Sequence, residues 1–312
     1  MDATMRIASL LPSATEIVCA IGLADELVAV THECDWPPEV AGVPVVTRAA
    51  EDLAGRSSRD IHDRVTAAVH GGSSLYALDE EALAAARPDL ILTQELCRVC
   101  AVSYTEVNEV ARRIDADITV VSLEPTSIEG IFHSITTVGA MTAVEDASVE
   151  VVEALRERLS IVERGVAARR AGGQHAARVV ALEWLDPPFA VGHWVPEQIR
   201  RAGGWDLLGI DGERSRETSW DAVREVDPEI LFLMPCGYHL ADTVREWRAT
   251  PKPDWFGELR AARHGAVVAL DGSAYFSRPG PRGIDGIELL AEVMDPNGFR
   301  DIAPPSGWTP VD

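Results

Sequence analysis

Lysine is almost absent from this sequence. Lys252 is the single lysine, and 50 acidic residues outnumber 28 basic ones, which gives a net charge of −22 at pH 7. The arginines that make up the rest of the basic residues form no cluster. Proteins that bind nucleic acid or an anionic membrane surface carry a positive patch. We therefore expect no nucleic-acid partner.

Long hydrophobic runs are absent as well. No stretch approaches the roughly 18 apolar residues of a membrane-spanning helix, so we expect no transmembrane segment. The opening MDATMRIASLLPSATEIVCAIG lacks the charged region, uninterrupted apolar stretch and cleavage site of a secretory signal. The expected location is therefore cytoplasmic. There the five cysteines would be reduced, which favours metal or ligand chemistry over structural disulfides.

The common catalytic and nucleotide-binding motifs are also missing. The sequence contains no G-x-S-x-G, Walker loop, G-x-G-x-x-G or H-E-x-x-H. Isolated histidines, including His62 and His133, are interpreted as surface or core residues. We expect a protein that is not an enzyme.

Short β-rich runs alternate with helical patterns along the chain. Such alternation is typical of βαβ units and a mainly parallel sheet. The predicted strands are RIASLL (6–11), ELVAVT (26–31), DLILTQ (89–94), ITVVSL (118–123), RVVALE (178–183), EILFLM (229–234) and AVVALD (266–271). ARPDLILTQ in the first half corresponds to EVDPEILFLM in the second, so the chain uses one small α/β unit twice.

A long charged helix is predicted between the two units, over residues 143–173. Its acids come early, its arginines come late, and Gly172 and Gly173 end it. Its apolar residues at helical spacing are Val149, Val152, Leu155, Leu159 and Val162. We therefore predict an α/β fold with two similar lobes, residues 1–142 and 174–312. Their mainly parallel sheets face across a cleft and are joined by this rigid helix.

The first helix has a start signal and a stop signal. In PSATEIVCAIG, Ser13 and Glu16 have the S-x-x-E spacing of a capping box, and Gly22 ends the pattern. Cys19 lies among apolar residues of this helix, so we predict that it is buried there.

The other four cysteines lie just past predicted strands, and two histidines fall in comparable positions. These residues are His32, Cys34, Cys97, Cys100, His193 and Cys236. Open α/β sheets bind ligands at the carboxyl ends of their strands, so we expect the six to converge on one region. Three interpretations remain open: a site for zinc or an iron–sulfur cluster, a thiol–disulfide couple, or the lining of a ligand pocket.

Aromatic residues occur in comparable loops of both halves. They are Trp36, Phe189, Trp194, Trp220 and Phe276, and Arg278 follows in the Pro- and Gly-rich stretch YFSRPGPRGIDG. Flat rings gathered at strand ends favour a broad, partly apolar ligand. A guanidinium braced by prolines suits a phosphate or carboxylate of that ligand.

Three stretches carry a family resemblance: RIASLLPSATEIVCAIGLADELVAVTHECDWPPEV, PDLILTQ and DPPFAVGHWVPEQIRRAGG. They resemble the periplasmic cobalamin-binding proteins of ABC importers, part of a wider class that binds ferric siderophores, haem and vitamin B12. The likeness runs from about Arg6 to Leu290. It implies the class III fold, with two Rossmann-like lobes, a linking helix and little hinge motion. By motif position it implies corrin contacts at Trp36, Phe189, Trp220, Phe276 and Arg278.

The leading functional hypothesis is non-catalytic binding of a corrinoid such as cobalamin, or of a related metal chelate, in the cleft between the lobes. The resemblance implies an ABC permease as partner. His32, His193 or one of the thiols would reach the metal centre, because imidazole and thiolate are competent ligands. The alternative is a cytosolic enzyme or metalloprotein whose cysteines hold zinc or an iron–sulfur cluster.

Overall fold

The fold was analysed in a computed structural model. The structure describes residues 5–50, 55–70, 76–95 and 104–311, apart from the side chains of 68–70 and 104. Two compact units make up the chain. The N-terminal unit comprises Met1–Arg56, Asp63–Pro125 and Gly130–Val152, and the C-terminal unit comprises Ser57–His62, Thr126–Glu129 and Glu153–Asp312.

A parallel sheet forms the centre of the N-terminal unit. In chain order the strands of this unit are β1 (Ile7–Ser9), β2 (Leu27–Ala29), β3 (Thr47–Ala49), β4 (Tyr76–Leu78), β5 (Leu90–Thr93) and β6 (Thr119–Ser122). The order β2-β1-β5-β6 is parallel throughout, and β3 and β4 form a separate antiparallel pair. Every residue of β1 and β5 is buried, as expected for parallel strands covered on both faces.

The helices before the second sheet alternate with these strands. They are α1 (Pro12–Ala20), α2 (Ser58–His70), α3 (Glu80–Ala86), α4 (Tyr104–Ile114), α5 (Ile128–Met141) and α6 (Glu145–Ala171). The unit's core contains apolar residues from β1, β2, β5, α3 and α4, including Ala8, Ala29, Leu83, Ile91 and Val107.

Helix α1 begins differently from the prediction. Pro12 takes the first helical position, and the preceding Leu11 provides no side-chain cap. Ser13 therefore lies inside the first turn, where its side chain cannot cap, so the predicted capping box of Ser13 and Glu16 is wrong. Cys19 lies in α1 but is half-buried, not fully buried as predicted. This partial burial is the main reason that the pKa of its thiol rises to about 11, and nearby acids contribute.

A larger mixed sheet forms the centre of the C-terminal unit. Its strands are β7 (Ala177–Leu185), β8 (Pro188–Ala190), β9 (Gly204–Asp206), β10 (Arg216–Glu217), β11 (Ile230–Leu233), β12 (Val267–Leu270) and β13 (Trp308–Pro310). The order is β10-β8-β7-β11-β12-β13, with β9 also on β7. β9, β7, β11 and β12 are mutually parallel, while β8, β10 and β13 add antiparallel pairs.

Helices of the C-terminal unit follow the same alternation. They are α7 (Val195–Arg201), α8 (Trp220–Val226), α9 (Leu240–Ala249), α10 (Arg260–Arg263), α11 (Gly272–Tyr275) and α12 (Gly283–Met294). All seven predicted strands are confirmed. The short strands β3, β4, β8, β9, β10 and β13 were missed, because two or three residues carry too little periodicity to recognise.

The predicted long helix is present as α6, and the boundary between the compact units falls within it, after Val152. Of its predicted apolar positions, Val152, Leu155, Leu159 and Val162 are buried, whereas Val149 is exposed. The limits predicted for the lobes, 1–142 and 174–312, stay a prediction.

An ion cluster fixes the second part of α6 to α12. Arg158 Nε donates to Glu288 Oε1 at 3.0 Å, and the guanidinium also pairs with Asp285. The hydrogen bond to Glu288 raises the pKa of Arg158 against the opposing effect of burial. Partly buried, hydrogen-bonded ion pairs of this kind fix geometry more than they add net stability.

Lys252 closes the end of α9. Its ammonium donates to Thr250 O at 3.1 Å and to the carbonyl of Trp247, and it lies 4.1 Å from the centre of the Trp247 ring. Burial lowers the pKa of Lys252. This cation thus supplies donors to carbonyl groups that the end of a helix leaves without partners.

Among the described helices, none has both the length and the apolar character needed to cross a membrane.

Candidate functional site

His32 is held at the carboxyl end of β2 in the N-terminal unit. Its Nδ1 lies 2.8 Å from Thr47 Oγ1, and its ring lies 5.4 Å from that of Tyr76 between centroids. The other ring nitrogen, Nε2, is 3.8 Å from Glu33 Oε1, which is beyond hydrogen-bond distance. Engagement of one nitrogen fixes the ring and directs the other, the usual arrangement of a metal-binding histidine.

Thr47 and Tyr76 were not predicted as site residues. They lie in β3 and β4, the antiparallel pair that sequence periodicity missed. A threonine and a tyrosine at the ends of two short runs were the available signal, but neither run is long enough to locate them next to His32.

Cys34 lies two residues further along the same loop and is half-buried. Its sulfur accepts a hydrogen bond from Thr15 Oγ1 at 3.1 Å and lies 3.1 Å from Thr31 Oγ1. Thr15 comes from α1, so the exits of β1 and β2 meet at this thiol. Trp36, at the end of the loop, is 45% exposed.

The thiols that follow strands were predicted to converge on one region. Cys97 and Cys100 lie outside the described residues. Among the residues that the structure describes, no group of three or more His, Cys, Asp or Glu side chains is placed to hold a metal ion. The predicted zinc or iron–sulfur site therefore has no support among the described residues.

Phe189 lies on β8 of the C-terminal unit, half-buried. The ring of His62, in the first turns of α2, lies 5.7 Å from the Phe189 ring. Arg59, one turn earlier, pairs with Asp186 Oδ1 at 2.5 Å. The start of α2 thus covers the ring that was predicted to face a ligand.

Ser58 anchors this same turn of α2. Its backbone N donates to Glu246 Oε1 at 3.0 Å, and its carbonyl accepts from Trp184 Nε1 at 3.3 Å. The Trp184 ring in turn meets Tyr238 edge-on, with 5.6 Å between centroids. Burial raises the pKa of the Tyr238 hydroxyl, and the negative charge of Glu246 raises it further.

Three other predicted ligand contacts lie deep in the C-terminal unit. Trp194 is 5% exposed, Phe276 is 3% exposed and Arg278 is 6% exposed, and Arg278 donates to Ser273 Oγ at 3.1 Å. Trp220 is half-buried and packs against the core beside Trp247, at 6.1 Å between ring centroids. Their predicted contact with a ligand remains a prediction, and each has a structural role already.

His193 and Cys236 have different environments. His193 has a positive φ of 53°, its ring stacks on Trp194 at 5.8 Å, and burial together with Arg214 lowers its pKa. Its Nδ1 is buried with no hydrogen-bond partner in the described structure. Cys236 is exposed just after β11, and its backbone N donates to Glu183 O at 3.0 Å.

Glu183, in β7, is a titratable residue that sequence reasoning did not select. Burial raises the pKa of its carboxyl group to about 7, although hydrogen bonds from Ser215 and from the Gly192 backbone act in the opposite direction. The available signal was an acid at the end of the otherwise apolar run RVVALE. Its charge alone gave no reason to separate it from the surface acids.

Residues 7–274 match the family model described as "Periplasmic binding protein". The chain belongs to the periplasmic binding protein family. Members of this family are solute-binding proteins, and the fold of the chain is that of class III members, as predicted.

Relatives within this family are distant but cover nearly the whole chain. An ABC transporter substrate-binding lipoprotein of Bacillus subtilis, YvrC, is 25% identical over 95% of this chain and 82% of its own length. The vitamin B12-binding protein of Vibrio cholerae is 24% identical over 93% and 88% respectively. The structure of a periplasmic haem-binding protein from Pseudomonas aeruginosa has a TM-score of 0.69 and 20% identity, covering 94% of this chain and 93% of that one.

These findings overturn the predicted cytoplasmic location. The family is periplasmic, and the Bacillus relative is a lipoprotein, so the comparisons point outside the cytoplasm. The prediction failed because it rested on what the first residues of the sequence lack. The expectation that the cysteines are reduced depended on that location, so it is withdrawn as well.

Proposed function

We propose that this protein is the substrate-binding component of an ABC importer and that its ligand is a corrinoid. Membership of the periplasmic binding protein family supports the binding role. The transporter role rests on the name of the Bacillus relative, and the corrinoid on that of the Vibrio relative. No step of the proposal involves a chemical reaction, so the protein releases its ligand unchanged to a permease.

The observation that carries the ligand class is the geometry of His32. Thr47 holds Nδ1, the Tyr76 ring lies against one side, and Nε2 makes no hydrogen bond with the neighbouring Glu33. Trp36, 45% exposed four residues later, offers a flat apolar surface for a macrocycle. An imidazole nitrogen and an exposed indole on the same loop suit a planar chelate whose metal has an axial position open.

Spectral titration with diaquocobinamide tests this proposal, because its cobalt has exchangeable ligands on both faces. Wild-type protein should bind with a dissociation constant of roughly micromolar or tighter, equivalent to about −8 kcal/mol. Binding should shift the visible spectrum. His32→Gln should abolish the shift, and Trp36→Ala should weaken binding about tenfold, the effect of losing roughly 1.4 kcal/mol of ring contact.

The control is His133→Gln, which changes an exposed histidine of α5 in the same unit and should bind like wild type. Haemin is titrated in parallel. No binding of cobinamide, cobalamin or haemin at high micromolar concentration would reject the proposed ligand class. Haemin binding alone would replace the corrinoid and keep the importer role. A spectral shift that persists in His32→Gln would remove His32 as the metal ligand.

A further inference from the structure

A groove lies at the edge of the C-terminal sheet where β7, β9 and β11 begin. It consists of two adjoining cavities of about 290 and 450 Å³, both lined by Arg170, Gln174 and His175. The predicted ligand-binding residues of this unit follow the opposite, carboxyl ends of these strands. We call this feature the amino-edge groove. It is separate from the candidate site described above.

Apolar side chains form the floor of the amino-edge groove. Val166 of α6, Ile230 of β11, Met294 of α12 and Phe299 line the smaller cavity. The two glycines that precede and begin β9 keep the chain close to this floor, since a Cβ on Gly203 would lie 3.2 Å from Val166 Cγ2. A cavity with an apolar floor and polar groups around it has the general character of a small-molecule site, and this one lies at the lower limit of the usual size of about 300 Å³.

Trp205 forms the outer wall of the larger cavity. It is the central residue of β9, and it is 59% exposed while both its neighbours in the strand are buried. An indole directed outward contributes little to the core of the unit. Ligand pockets are lined mainly by hydrophobic and aromatic side chains, so an exposed indole on the wall of a cavity suits a binding site.

Most charges around the amino-edge groove are neutralised locally. Arg169 pairs with Asp295, and Arg200 pairs with Asp211 at 2.8 Å. Glu229 Oε1 lies 2.9 Å from the Arg260 guanidinium and 3.3 Å from His175 Nε2. These pairs fix the rim and leave it without net charge from the groups they contain.

Arg170 is the exception on this rim. It is exposed in the last turn of α6, and among the described residues no acceptor hydrogen-bonds to or pairs with its guanidinium. The protein has a net charge of −22, so acidic residues are abundant elsewhere on it. Arg170 lines both cavities, and its positive charge is therefore available to a ligand in the groove. A guanidinium binds carboxylate and similar oxyanions through paired hydrogen bonds.

We propose that the amino-edge groove is a second binding site, for a small molecule that combines a flat apolar body with a single carboxylate or sulfonate. The apolar body lies against Trp205 and the groove floor, and the anion pairs with Arg170. This site is independent of the corrinoid proposal, because none of its residues belongs to that site.

Fluorescence titration with 8-anilino-1-naphthalenesulfonate, an aromatic monoanion, tests the proposal. Wild-type protein should bind it with an emission increase, and Arg170→Gln and Trp205→Ala should each weaken that binding about tenfold, as expected on losing a charge-assisted hydrogen bond or a ring contact. Arg263→Gln, which changes an exposed arginine of α10 outside the groove, should leave binding unchanged. The uncharged N-phenyl-1-naphthylamine should bind with equal affinity to wild type and Arg170→Gln.

Thermal unfolding of each variant shows whether it is folded, and both substituted side chains are exposed, so we expect wild-type midpoints. The proposal fails if wild-type protein does not bind the probe, or if Arg170→Gln and Trp205→Ala both bind it as tightly as Arg263→Gln. Loss of affinity in Trp205→Ala alone would also overturn it, since the anion would then have no role.

Discussion

Glu183 shows how one buried carboxyl group makes stability depend on pH. Its pKa rises from the ordinary 4.5 to about 7, chiefly because of burial. The unfolded chain therefore loses this proton at a lower pH than the folded protein does. Stability from this group is fully present below about pH 4.5 and is lost progressively until pH 7.

We predict that Glu183→Gln is more favourable at alkaline than at acid pH. Glutamine is neutral at every pH and keeps an oxygen that accepts from Gly192 and Ser215. Relative to wild type, the variant should gain roughly 2–3 kcal/mol in free energy of unfolding between pH 4 and pH 8. Urea unfolding at both values measures this. Glu217→Gln, on exposed β10, should show no such change, and an equal effect of Glu183→Gln at both pH values would contradict the prediction.

Residue types were easier to predict than residue environments. The aromatic positions Trp194 and Phe276 were selected because rings follow strands, yet both are buried in the core. Composition gives the same signal for a ring that binds a ligand and for one that fills a core. His32 was identified because it directly follows a strand, but its orientation depends on Thr47, which only the tertiary structure brings close.

At the scale of elements, Gly165 lies inside α6 where a glycine is normally unfavourable. A Cβ at this position would lie 2.6 Å from Phe299 Cε1. The glycine therefore allows the ring to pack directly on the helix backbone, and its cost in helix propensity is offset by that contact.

This packing predicts a change of sign between two backgrounds. Gly165→Ala should lower the free energy of unfolding of wild-type protein by about 1–2 kcal/mol, because the methyl group displaces Phe299. In a Phe299→Ala background the same change should raise it by up to about 1 kcal/mol, because only helix propensity remains. Urea unfolding of the cycle measures both, with Ala168→Gly as a control that should cost about 1 kcal/mol in either background. Additive effects would rule out the contact.

Elements with long periodic patterns were predictable, and short ones were not. The strands β5 and β12 were recognisable in the sequence as continuous apolar runs, because parallel strands that are buried on both faces are apolar throughout. α6 was recognisable from 27 residues of helical spacing. By contrast, β8 and β10 pair through backbone hydrogen bonds that place few demands on their side chains.

At the scale of the whole molecule, 50 acidic residues against 28 basic ones leave strong self-repulsion. Added salt screens that repulsion, with a Debye length of about 30 Å at 0.01 M and about 8 Å at 0.15 M. We predict that the thermal midpoint rises between 10 and 150 mM salt, and equally for sodium chloride and choline chloride. Differential scanning calorimetry checks this. A falling midpoint would show that screened ion pairs outweigh the repulsion, and a rise confined to sodium would indicate a specific ion site.

The near-absence of lysine sets the alkaline behaviour of the protein. Arginine keeps its proton at any pH a folded protein survives, so nearly all of the positive side-chain charge is constant above neutrality. Lys252 carries the one side-chain ammonium that can be lost, and its contacts with Trp247 hold it at the end of α9 rather than on an open surface. Reagents and modifying enzymes that acylate amines therefore find one partly shielded side chain, and acylation cannot appreciably alter the charge pattern of this protein.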